Sequence, residues 1–492
     1  MARINRQTAY ERAAELEFST SSADPLAAWR ISGIKGPVWE QWYFDSVADD
    51  GKSSIVLTVA RDASYAVLGR GTLRIELDVV FSDGSRYNNV DWMSEAVVED
   101  RGGPKGSGTV DGSWIAPGKS YRYQIAADGS AAKVEIDTRD VQGHFTLAAL
   151  SPPVYPNGET QEELRASGKT ASTELLPKIH LVQVIPTATF EGDLMVKGRI
   201  VRFRGIGGHM HAWAAGSWFD TTLGWRVARG VAGPFSVTLM EYTDMDGAVH
   251  SSGFVAKDGK KLFGGKELYA TPRSASTLQR ALRYIHEDEK KPKQTVRWTP
   301  TYNTGFAGRF DDTSTGAILH FTTGEPGEEY RFELIHRRKA FEYLFGSSDT
   351  GLTAFLGEIK GGKVGEEVYR GVQFSDVCVL PRKCSPSCSI LTPDSHAYCR
   401  GLHEGVFLYL HADRCPHLWS HQPAGHQHLN QTLSSRQTNE HNLQRGQEMG
   451  VWEDRFDCNL EPREVARTVD SNECDDSQQF QWSFELWKCP IR

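Results

Sequence analysis

Three of the chain's Asp-Gly pairs, those at 83–84, 128–129 and 246–247, each fall at the end of, or between, β-rich runs. The second is flanked by 121–125 and 133–136, and the third by 235–242 and 249–256. An Asp-Gly pair supplies the positive backbone angles of a two-residue turn, so each marks a reversal between neighbouring antiparallel strands. The run before the first pair, 72–81, alternates with period two. Leu73, Ile75, Leu77 and Val79 share one face, and Arg74, Glu76 and Asp78 share the other. Further short strand signals occur at 54–60, 143–150, 198–204, 295–298, 317–321, 330–335 and 367–379. No strand–helix–strand alternation is visible, which argues against a parallel α/β sheet. The 47 glycines, 13 tryptophans and 16 tyrosines suit many short strands joined by tight turns. The pattern predicts an all-β fold. One helix is expected, over 276–286, where Leu278, Leu282 and Ile285 recur at helical spacing.

At 492 residues the chain is long enough for two or three domains. All eight cysteines lie at or beyond Cys378, and the composition beyond about 381 turns to Ser, Gln, His, Cys, Asn and Arg without strand or helix period. That segment buries too little apolar surface to offset its ordering entropy, so 381–492 is expected to be a disordered Cys/His-rich tail or the product of a misread gene. Cys384, Cys388, Cys399 and His403 have zinc-like spacing but lack the apolar residues of a zinc module. A net charge of −8 argues against nucleic acid as a partner. No apolar run is long enough to span a bilayer, and 1–17 lacks an apolar signal core, so a cytoplasmic protein is expected, with no membrane partner.

Two dense stretches stand out. Trp39-Glu40-Gln41-Trp42-Tyr43-Phe44-Asp45 reads as a strand with Glu40, Trp42 and Phe44 on one face and Trp39, Gln41, Tyr43 and Asp45 on the other. An acid between large rings is either a satisfied polar residue of a core strand or the placed acid of an apolar pocket. Gly205-Ile206-Gly207-Gly208-His209-Met210-His211-Ala212-Trp213, continuing to Trp218 and Trp225, puts His209, His211 and Trp213 on one face if extended. Two histidines at that spacing can ligate a metal, but no third ligand follows at a telling distance, and no metal is expected. The glycines open no amphipathic helix, so they are not a dinucleotide fingerprint. No Gly-x-Ser-x-Gly elbow and no phosphate-binding loop are present, and the first 377 residues contain no cysteine nucleophile.

These two stretches, together with 230–242, resemble the fungal intramolecular Diels–Alderases that work beside hybrid polyketide–peptide synthases. The likeness extends to the wider lipocalin-like, carotenoid hydratase-like superfamily and covers roughly 20–380. In the hydratase branch the central motif carries an Asp between the histidines and an Asn before the Trp; here Met210 and Ala212 stand in those places. The resemblance implies an N-terminal β-sandwich followed by a C-terminal lipocalin-like β-barrel, with the substrate where they meet. With the sequence signals it divides the chain into a polar lead-in (1–28), a first β domain (29–180), a second (181–380) and the tail.

It implies, further, a cofactor-free [4+2] cycloaddition of a linear polyene, bearing a tetramic acid or pyrrolinone head, supplied by a polyketide–peptide synthase. Glu40 and Trp213 are then the catalytic candidates, with Glu40 orienting the head group. Trp42, Phe44, Tyr65, His209, Trp225 and Lys339 are the substrate-binding candidates. Tyr65 and Lys339 have ordinary surface or packing roles as their alternative. Two rival functions remain open: a hydratase or isomerase protonating a polyene through His209 or an acid, and a non-catalytic lipocalin-like carrier.

Overall fold

The structure, a computed structural model, describes residues 2–64, 71–102, 107–270, 294–303, 305–310, 312–345 and 349–381. The chain divides after Arg382, and the second part, 383–492, lies outside the described residues. So do the zinc-like Cys384, Cys388, Cys399 and His403, the helix expected over 276–286, and Tyr65.

The first part is built almost wholly of strands, as the turn pattern requires. Its first sheet contains β1 (Arg3–Thr8), β2 (Trp39–Ala48), β3 (Ser54–Asp62), β4 (Leu73–Val80), β5 (Arg86–Trp92), β6 (Glu95–Asp100), β7 (Thr109–Ala116), β8 (Lys119–Ala126), β9 (Ala131–Asp137), β10 (Val141–Ala149), β11 (Glu174–Leu176), β12 (Ile179–Val196) and β13 (Arg199–Ala214). The second contains β14 (Gly224–Ala232), β15 (Phe235–Thr243), β16 (Ala248–Lys257), β17 (Lys260–Ala270), β18 (Thr295–Thr301), β19 (Gly316–Thr322), β20 (Glu329–Leu344), β21 (Gly351–Lys363) and β22 (Tyr369–Val379). The strand orders are β1-β6-β7-β8-β9-β10-β12-β13-β2-β3-β4-β5, with β11 on β12, and β17-β16-β15-β14-β22-β21-β20-β19-β18. The Asp-Gly pairs at 83–84, 128–129 and 246–247 sit at antiparallel reversals, between β4 and β5, β8 and β9, and β15 and β16.

Each sheet curls until its inner face encloses a core. The first core draws on Trp42 and Phe44 of β2, Ile75 and Leu77 of β4, Trp114 of β7, Tyr123 of β8 and Phe145 of β10. The second is rich in aromatics, including Phe235, Phe263, Phe321, Phe332 and Phe355. Two further apolar clusters join the sheets back to back. One combines Trp39, Met210 and Ala212 with Val227, Met240 and Tyr242; the other combines Val47, Val56 and Val80 with Phe341, Leu356 and Phe374.

Three expectations change. The lead-in is not free: β1 pairs with β6, and 18–31 lies under β2 and β13. The division near 180 falls inside the first sheet, because β12 and β13 form one long hairpin that pairs with β10 on one side and β2 on the other. The passage between sheets comes at 214–224. A helix unseen in the sequence reading, α1 (Gln161–Ser167), is set by a capping box between Thr160 and Glu163. A second, α2 (Trp218–Thr221), occupies the passage.

The alternation read over 72–81 is correct in direction, yet Arg74 and Asp78 of its polar face are also buried. Asp78 accepts a hydrogen bond from the Tyr343 hydroxyl of β20 at 2.6 Å, because the second sheet packs there. Among the described residues no helix is long and apolar enough to cross a membrane.

Candidate functional site

The two dense stretches meet. β2 and β13 pair antiparallel, with Glu40 opposite Trp213, Trp42 opposite His211 and Phe44 opposite His209. All six side chains face the core of the first sheet. His209 stacks on Phe44 with centroids 4.3 Å apart, and His211 stacks on Trp42 at 4.8 Å. Burial pushes His209 down to about 3, so its ring is neutral, with Nδ1 3.0 Å from the Tyr43 carbonyl.

Glu40 is wholly buried. Its Oε1 accepts from the Arg30 backbone N–H at 2.5 Å and lies 3.0 Å from His211 Nε2, while Oε2 is 3.8 Å from Arg61 Nη1. The polar tips of this face grip 18–31: Trp42 Nε1 donates to the Ala27 carbonyl at 2.8 Å, Trp213 Nε1 to Ser19 at 2.9 Å, and His211 Nδ1 sits 3.1 Å from the Leu26 carbonyl. Trp213 also lies under the Arg30 guanidinium, 4.9 Å from its ring centroid. One strand face thus fastens an otherwise irregular segment across the end of the first sheet.

The other face of the same two strands meets the second sheet. Trp39 stacks on Trp218 at 3.8 Å, Trp218 lies 5.0 Å from Trp225, and Trp225 stacks on Tyr242 at 5.8 Å. Met210, Val227 and Met240 pack among these rings. Trp39 and Tyr242 are buried, while Trp218, Trp225 and Tyr43 keep partial exposure, so the aromatic seam reaches the surface.

Its inner end is polar. Trp225 Nε1 donates to Asp376 Oδ1 at 2.8 Å, and the Tyr43 hydroxyl is 3.5 Å from Asp376 Oδ2. Beside them Arg229 grips Asp45 with Nε at 2.8 Å and Nη2 at 3.1 Å, and donates from Nη1 to the Ile185 carbonyl at 3.1 Å. Gly208, opposite Asp45, makes room for that guanidinium: a Cβ there would lie 2.1 Å from Arg229 Nη1. This is the structural use of a glycine pair that opens no nucleotide cradle.

Of the residues singled out in the sequence, Glu40, Trp42, Phe44, His209 and Trp213 therefore gather inside the first sheet, and Trp225 stands apart from them in the seam. Lys339 lies within β20, which runs on to Leu344, and its ammonium pairs with Glu342 at 2.8 and 2.9 Å. Trp39, Tyr43 and Asp45 belong to the stretch already singled out, on its opposite face. Asp376 was missed. Its only signal was a lone acid in the apolar run of β22.

A family model described as Diels-Alderase-like matches residues 1–381, a span that contains every described strand. Diels-Alderase ucsH of an Acremonium species is 78% identical over 382 residues, covering 78% of this chain and 93% of that one. Diels-Alderase phmD of Phaeosphaeria nodorum is 29% identical over 370 residues, covering 74% of this chain and 94% of its own. Among solved structures, CghA crystallised with Sch210972 shares the fold with a TM-score of 0.62 at 21% identity, covering 77% of this chain and 98% of CghA. With a family match over all the described strands and a relative of this identity, the chain belongs to the Diels–Alderase-like family.

Proposed function

We propose that this enzyme folds a linear polyene, carrying a tetramic acid or pyrrolinone head and released by a polyketide–peptide synthase, for an intramolecular [4+2] cycloaddition in the seam between the two sheets. The observation that carries this reading is the continuous aromatic run Trp39–Trp218–Trp225–Tyr242, which ends at the buried polar group of Asp376, Tyr43 and the Arg229–Asp45 pair. Such a cycloaddition joins two pairs of carbons while π electrons redistribute, and it transfers no proton and needs no nucleophile. The side chains have only to hold diene and dienophile in a near-attack geometry and to meet charge that develops on the head group. A tenfold preference for one diastereomer takes about 1.4 kcal/mol between competing transition states, which a few well-packed rings can supply.

In this reading Trp225 is a wall of the site. Glu40, Trp42, Phe44, His209 and Trp213 are positioning residues, which hold β2 and β13 so that Trp39 and Tyr43 present their outer face. Protonation of a polyene by His209 is disfavoured by its burial and its neutral ring. The test is Trp225→Ala, assayed with a synthetic linear polyenoyl tetramic acid. The rate should fall about tenfold or more and the product should become a mixture of diastereomers. Unchanged rate and ratio in a folded variant would place the reaction elsewhere.

A further inference from the structure

Among the described residues, Asp376, at the end of the seam, has no cation paired with it. It is 6% exposed on β22, on the face that meets the first sheet. The nearby guanidinium, Arg229, is committed: its Nε and Nη2 fork onto Asp45, and its Nη1 donates to the Ile185 carbonyl. Two carboxyls share this buried place with one guanidinium, and the geometry gives the guanidinium to Asp45. A second, uncompensated carboxylate there would be costly, whereas the neutral acid is not. Burial raises Asp376 to about 7, against the smaller pull of the Trp225 hydrogen bond. Trp225 Nε1 holds Oδ1 at 2.8 Å and so fixes the carboxyl rotamer. Oδ2 is left with the Tyr43 hydroxyl at 3.5 Å, too long for a firm O–H···O bond. A substrate oxygen entering the seam can displace that contact.

We propose that Asp376 is a catalytic residue of the cycloaddition, its carboxyl O–H donating a hydrogen bond to the substrate carbonyl conjugated with the dienophile. This rests on the seam being the substrate site. As the two new carbon–carbon bonds form at the expense of two π bonds, electron density moves from diene to dienophile and onto that carbonyl. A donor aimed there stabilises the transition state more than the ground state. The proton stays on Asp376 throughout, so the carboxyl emerges unchanged and needs no partner to restore it.

The groups facing Asp376 are Tyr43 and Asp45 of β2, Trp225 and Arg229 of β14, Tyr242 of β15 and Cys378 of β22, with Asp78 of β4 beyond Tyr43. Burial raises Tyr43, Tyr242 and Cys378, so they stay neutral, and Asp45 remains on Arg229. Asp78 is likewise raised to about 7 by burial, so its own variant is the control.

The experiment uses the full chain and a synthetic linear polyenoyl tetramic acid, with each rate divided by the uncatalysed rate at the same pH. The wild-type acceleration should fall about tenfold as pH rises from about 6 to about 8, following loss of the acid's proton. Asp376→Asn keeps a neutral N–H donor; it should lose about three- to fivefold at pH 6 and shed the pH dependence. Asp376→Leu should lose about ten- to a hundredfold and degrade the diastereomer ratio. Asp78→Asn should keep the wild-type profile. Infrared difference spectra of the wild type at pH 6 should show a protonated carboxyl that shifts when cyclised product binds and is missing in Asp376→Asn. The product-induced shift itself is read on the wild type, and a band kept in Asp78→Asn excludes the other raised acid beside the seam.

A rate that rises with pH, a folded Asp376→Leu with wild-type rate and ratio, or no such carboxyl band would overturn the proposal. Met240→Trp, two strands from Asp376 in the same cross-strand row, fills the seam without touching the carboxyl itself and separates the two readings. If it blocks turnover while the Asp376 variants do nothing, the donor role is lost and the seam stands. If neither acts, both are lost.

Discussion

Glu40 shows how a residue's chemistry is set by what closes around it. His211 Nδ1 faces the Leu26 carbonyl, which can only accept, so that nitrogen carries a hydrogen; its Nε2 then faces Glu40. Burial holds the His211 ring below the usual histidine range, and the Arg30 backbone and Arg61 complete the shell around Glu40. A buried acid held from three sides fastens structure. Glu40→Gln is expected to cost about 3–5 kcal/mol, the scale of breaking a buried charged pair, with turnover per folded molecule within about twofold of the parent. Denaturant melts and rates on the same samples check this. A variant of normal stability that turns over slowly would return Glu40 to the site.

At the scale of elements, the pair β2–β13 works on both faces at once. Its inner face anchors 18–31, and its outer face receives Arg229 across Gly208. Gly208→Ala would drive a methyl into that guanidinium and separate it from Asp45, so about 3–5 kcal/mol of stability should be lost. The seam on the same face should loosen with it, and the diastereomer ratio should drift in whatever fraction still folds. The cap of α1 is a useful contrast. Thr160 accepts from the Glu163 backbone at 3.2 Å and Glu163 returns the bond at 2.8 Å. Thr160→Ala should cost about 1 kcal/mol and leave both rate and product ratio alone, because α1 touches neither stretch of the seam.

At the scale of the whole molecule, burial raises three carboxyls among the described residues to about 7: Asp78 and Asp376 between the sheets, and Glu241 inside the second. Each binds its proton more tightly folded than unfolded, where carboxyls titrate near about 4. The stability this gives is fully present below about pH 4 and is lost as pH rises toward about 7. The buried His180, His209 and His336, pushed down to about 4, 3 and 4, act in the opposite sense below about pH 6.5, so the acid's share is read by difference: relative to the wild type, Asp78→Asn should remove a decline in melting temperature between about pH 4 and 7. An unchanged slope would mean that Asp78 is already ionised in the fold. The family match and the first compact part of the chain end at 381 and 382. A chain stopped after Pro381 should thus fold and keep its rate and product ratio, as seen by circular dichroism and turnover.

Alternation along a strand is a local property of the backbone, so the sequence by itself determined a great deal here. The runs at 54–60, 72–81 and 235–242, the Asp-Gly reversals, and the sharing of one face by Glu40, Trp42 and Phe44 all follow from neighbours in the chain. The Thr160–Glu163 box was equally local and could have been read. What each face meets is not local. Glu40 and His211 lie 171 positions apart, and Tyr43 and Asp376 lie 333 apart. Period two makes the two faces of β2 equally plausible walls for a pocket. Only the packing of β14 and β22 against Trp39, Tyr43 and Asp45, with 18–31 covering the other side, decided which face was fastened inside the core and which was left beside the seam.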